Sequence, residues 1–162
     1  MDDNLIKRKM QVGSCVVSFA TYEGGLLGLS SDSTNEMISE VGSEQIKQEF
    51  AFAASDTSLN CIASEGNHLA VAGSEEVIKL FDLKTKLSCG EFCGEVHQST
   101  ITALSISKQC THLLSGDEKG AIGIWRIKDQ ALLHQLEVKN SSKVVSMSMH
   151  DSGRMLLAFY AN

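Results

Sequence analysis

Three groups of residues in this 162-residue chain are spaced so that they invite chemistry. Cys89, Cys93 and His97 form a C-x3-C-x3-H run; thiolates and imidazoles are zinc ligands, and on a helix these three would share a face. Lys84-Thr85-Lys86 and the stretch 139–143 are basic loops of the kind that meets phosphate. Gly24-Gly25-Leu26-Leu27-Gly28 is glycine-rich, but its spacing is not that of a dinucleotide fingerprint, and no strand–loop–helix context surrounds it.

The elements that must carry these groups decide between the readings. Residues 87–96 read as a strand, where four residues span about 13 Å, too far for one zinc at about 2.0–2.3 Å per ligand. Ordinary thiols are therefore expected, and no metal. Asn140-Ser141-Ser142 fits a glycosylation sequon but reads as a loop between repeats. No Walker loop, Gly-x-Ser-x-Gly elbow or His-Glu-x-x-His occurs, so no catalytic residue, no cofactor and no enzyme activity are assigned.

The organising stretch is 97–126. Leu113-Leu114-Ser115-Gly116 leads through Asp117-Glu118-Lys119-Gly120 into Ile122-Gly123-Ile124-Trp125, a strand, tight turn and second strand. The pattern recurs upstream from His68 through Gly73 to Leu80, Phe81 and Asp82, at an offset of about 43 or 44 residues, within the roughly 40–45 of a propeller blade. Ile62, Leu104 and Met147 mark three equivalent inner strands. A weaker copy begins at Val16, turns at Glu23-Gly24-Gly25 and continues through Leu27 and Leu29. Residues 30–48 read as an insertion holding a short amphipathic helix or a loop, and Glu49-Phe50-Ala51-Phe52-Ala53 as the outer strand of that first copy. Met155-Leu156-Leu157-Ala158-Phe159 begins a strand that lacks a following partner.

Composition narrows the function classes. Apolar residues make up 43% and charged ones 21%, as in ordinary globular proteins, and the net charge of −6 argues against a general grip on nucleic acid. No proline interrupts the ladders. Five cysteines at no zinc-ribbon spacing, and a start, Met1-Asp2-Asp3-Asn4, unlike a signal peptide, point to a reducing compartment. No apolar run approaches the roughly 18–20 residues of a spanning helix, so no membrane partner is expected.

The hairpins ending in Phe81-Asp82 and Trp125-Arg126, with His97 opening the unit that Trp125 closes, resemble the WD-repeat β-propellers. The resemblance implies an all-β fold of four-stranded antiparallel blades, partial here, with about three blades and the start of a fourth. The units are a polar lead at 1–12, a degenerate first blade at 13–57, a second at 58–96, a third at 97–139 and a truncated fourth at 140–162. In such rings an N-terminal strand, here about 13–20, is expected to pair with the last blade. Three members of the family's structural tetrad are carried over as His97, Ser115 and Trp125, with Phe81 and Asp82 as the Trp-Asp equivalent. Lys119 stands at the tetrad's Asp position, so the network is expected to be partial. Ala72 and Ser55 stand where Ser115 and His97 have their counterparts one blade earlier.

A narrower resemblance, on Asn67 through Ser74, Ile78 through Leu83, His97 through Leu104 and His112 through Gly116, is to the p21-activated kinase-interacting WD-repeat proteins. It implies a non-enzymatic scaffold for large ribosomal subunit (pre-60S) biogenesis and rRNA processing in the nucleus and nucleolus. Its partners would be assembly proteins, rRNA and p21-activated kinase, whose signalling it would restrain. The alternative is a generic WD-repeat adaptor in signalling or ubiquitin ligation, in the cytoplasm. An open stack of blades is expected to be marginal in stability or to pair with another chain.

Overall fold

The computed structural model describes residues 16–31, 46–137 and 142–161. The expected lead at 1–12, the body of the insertion, Cys15 and the sequon's Asn140 lie outside the described residues. All regular structure among the described residues is strand, in four antiparallel sheets stacked in chain order. Blade one is β1 (Val16–Ala20), β2 (Gly25–Ser31) and β3 (Ile46–Ala53); blade two is β4 (Leu59–Glu65), β5 (His68–Gly73), β6 (Ile78–Asp82) and β7 (Leu87–Phe92). Blade three is β8 (Ile101–Ile106), β9 (His112–Asp117), β10 (Ala121–Arg126) and β11 (Ala131–Glu137), and blade four is β12 (Val144–Met149) with β13 (Leu156–Tyr160). This is the partial propeller that the sequence predicts.

Alternation builds each strand, since successive side chains point to opposite faces and each face of a blade meets a different neighbour. Leu69 and Val71 point to blade one, where Leu26 and Phe50 meet them, while Ala70, Ala72 and Leu80 point to blade three, against Leu113 and Trp125. Leu114 and Ile122 then meet Val144 and Met147 of blade four. The core is thus three slabs between sheets, not one central cluster.

One expectation fails. The first strand pairs with β2, Val16 opposite Ser30 through to Ala20 opposite Leu26, not with the last blade. The cause is local: the turn at 21–24, with Gly24 at φ 79°, closes within five residues, and the Thr21 N–H donates to the Gly25 carbonyl (2.9 Å).

A bulge recurs at one place in three blades, after Gly28, Leu80 and Ile124. It brings Leu29, Phe81 and Trp125 into equivalent positions. Rim contacts recur too. At the turns joining the last two strands of blades two and three, Lys86 (φ 61°) and Gln130 (φ 53°) hold a left-handed backbone. From there Lys86 Nζ donates to the Glu49 carbonyl of blade one (2.6 Å) and Gln130 Nε2 to the Cys89 carbonyl of blade two (3.3 Å).

Blade four is held on blade three at closest approach by Gly116, where a Cβ would lie 2.7 Å from Val144 Cγ1. Gly116→Ala should therefore push the two sheets apart and cost about 1–3 kcal/mol. Urea unfolding followed by Trp125 fluorescence measures it, and an unchanged midpoint would refute this close approach.

Candidate functional site

The groups singled out by sequence separate in space. Cys89 and Cys93 are exposed whereas His97 is 1% exposed, and among the described residues no cluster of His, Cys, Asp and Glu is arranged to hold a metal. Cys61 is buried and desolvation drives its thiol up to about 12, so it is a small apolar side chain in function. Lys143 reaches Glu118 (3.7 Å), and Lys84 projects from the turn between β6 and β7.

What the fold does assemble is a chain of four buried side chains at the head of blade three. The loop between β7 and β8 brings in His97, β9 supplies Ser115 and, at its end, Asp117, and β10 supplies Trp125. Trp125 Nε1–H donates to Ser115 Oγ (2.7 Å), Ser115 Oγ lies 2.6 Å from His97 Nε2, and His97 Nδ1 lies 3.1 Å from Asp117 Oδ2. Asp117 Oδ1 accepts the backbone N–H groups of Lys119 and Ala121, each at 2.9 Å. One assignment satisfies every atom: His97 carries its proton on Nδ1 and gives it to the carboxylate, while Ser115 gives its hydroxyl proton to Nε2.

The network is therefore complete, and the expectation of a partial one is corrected. Asp117, not Lys119, supplies the carboxylate; the Lys119 ammonium turns away to the Gln98 carbonyl (3.1 Å). The difference is one of register. Ser115 faces Gly123 across the sheet, and the position facing the equivalent Lys79 in blade two is Val71, not Ala72. Shifting by that one residue sets Gly73 against Asp117. The signal was present in the sequence, because an Asp two residues before Lys119 and four before Ala121 caps such a turn.

Ser115, His97 and Asp117 reproduce the hydrogen-bond order of a hydrolytic triad, but not its function. Ser115 is 0% exposed and its oxygen already accepts from Trp125, so no substrate carbonyl reaches it. Burial pushes the His97 imidazole below its ordinary value, against the opposing pull of the Asp117 hydrogen bond and charge. A base kept neutral and sealed locks geometry.

The other blades fill the equivalent places differently. In blade two Val71 and Phe81 are buried, Phe81 tilts against Phe52 (centroids 5.2 Å apart), and the Ser55 hydroxyl bonds to its neighbour Thr57. Asp82 Oδ1 accepts from the Thr85 N–H (2.7 Å) and hydroxyl (3.1 Å), and the backbone bond leads in holding its carboxyl below the usual range. Beside the tetrad, Val96, Gln98, Lys119, Gly120 and Glu137 line a shallow depression of about 240 Å³ on the blade-three tip.

Residues 90–126 match the WD domain, G-beta repeat, which spans the whole tetrad. The fold agrees: the crystal structure of RRP9 WD40 repeats superposes with a TM-score of 0.69 at 13% identity, covering 90% of this chain and 47% of that one. The chain is a WD-repeat protein. It is similar to a zebrafish (Danio rerio) protein named p21-activated protein kinase-interacting protein 1-like, 31% identical over 113 residues, which cover 70% of this WD-repeat chain and 30% of that protein. It is also similar to Protein MAK11 of Saccharomyces cerevisiae, 26% identical over 154 residues, covering 85% and 36%. The WD-repeat chain thus spans about a third of the length of these curated relatives.

Two outcomes test the tetrad. Trp125→Ala should cost roughly 3–5 kcal/mol, read as a fall in the thermal midpoint. For pH, a His97 whose folded pKa lies below the unfolded one binds fewer protons than the unfolded chain between the two values. Stability is then full above the unfolded value of 6.5 and declines as pH falls from there toward the folded pKa. Melts from pH 7.5 down to 5.5 should show that loss, and His97→Gln should flatten it.

Proposed function

We propose that this WD-repeat chain is part of a non-enzymatic scaffold that works on large ribosomal subunit precursors in the nucleolus. On this reading its blade-tip loops hold assembly proteins, and a p21-activated kinase is a second partner. The observation that carries the reading is the 31% identity to the protein named as interacting with p21-activated kinase, which covers 70% of the chain. The ribosomal part follows the resemblance of the hairpins around His68, His97 and Ser115 to that family. A sealed tetrad is consistent with a rigid support rather than a reaction centre.

Charge distinguishes the two ends of the blades. At the tips glutamates outnumber lysines, with Glu75, Glu76 and Glu95 beside Lys119 and the Glu118–Lys143 pair, a balance suited to basic proteins. At the opposite turns Lys84 and Lys128 stand in equivalent places of blades two and three, near Asp82 and Asp129. Those two exposed lysines, with Lys86, are the residues proposed to touch rRNA phosphate.

A sucrose gradient of native lysate, with the protein tagged at its N-terminus, tests the main reading: the tag should co-migrate with large-subunit precursor rRNA. Confinement to light cytoplasmic fractions would sink it and favour a general WD-repeat adaptor. For the RNA-binding part, Lys84→Glu with Lys128→Glu should weaken particle association and flatten its salt dependence, by a slope of about 1 for each phosphate no longer neutralised. Unchanged association of this double variant at 50 and 200 mM salt, conditions between which strong phosphate binders weaken by roughly 10³-fold or more, would remove rRNA from the reading.

A further inference from the structure

We draw no further inference here: the strongest candidate, the outer rim of the junction between blades two and three, where Leu87 and Leu132 stand exposed beside the contact of Gln130 with the Cys89 carbonyl, is an apolar patch on which nothing in the structure shows what covers it.

Discussion

A blade cannot bury its own faces. Every strand of this protein alternates, so each sheet has an apolar side pointing each way along the stack, and the only surface that can cover it belongs to the next sheet. The slabs Leu69–Leu26, Leu80–Trp125 and Leu114–Val144 are where hydrophobic stabilisation resides, and they are additive in kind: each depends on its two flanking sheets and on nothing further away. Removal of one slab leaves the others geometrically intact but unsupported at one side. The glycines at the junctions serve this constraint, since Gly116 lets β12 approach β9 more closely than any side chain would allow.

Within that frame the tetrad of blade three is a device for burying polarity in a junction. Burying Trp125 puts an indole N–H out of water, Ser115 takes it, His97 takes the serine's proton, and Asp117 ends the relay with a carboxylate bonded to two backbone amides. Each member leaves an orphan if removed, so the four act as a unit. Blades one and two solve the same geometric problem by putting Leu29 and Phe81 where Trp125 sits; with no indole to satisfy, they dispense with the relay. The difference is one of chemistry at a fixed position in the sheet.

Much of the architecture was legible because alternation and turn glycines are local signals: the hairpin through Gly120, its copy ending at Phe81, and the inner strands at Ile62, Leu104 and Met147 all come from neighbours in sequence. What was hidden depends on pairing across the sheet. Matching Gly73 to Gly116 by residue type puts the second strands one residue out of the register that cross-strand pairing sets, Val71 with Ser115, which displaces the tetrad and leaves Asp117 without a role. Likewise, the partner of β1 is set by the tight turn at 21–24, which returns the chain directly onto β2. Acid chemistry was visible at Asp117; its register was not.

The two rim contacts made by Lys86 and Gln130 bear on curvature. Adjacent sheets that touched only near the hub would be free to splay like loosely held pages, and the angle between them would depend on what else the ring contained. Here a side chain at the outer turn reaches back to a main-chain carbonyl of the preceding blade, at the same relative position in two successive junctions. Contact at two radii fixes an angle. The pitch of the arc is therefore written into these two pairs of neighbours, and the left-handed backbone at Lys86 and Gln130 is the conformation from which a long side chain can span that gap.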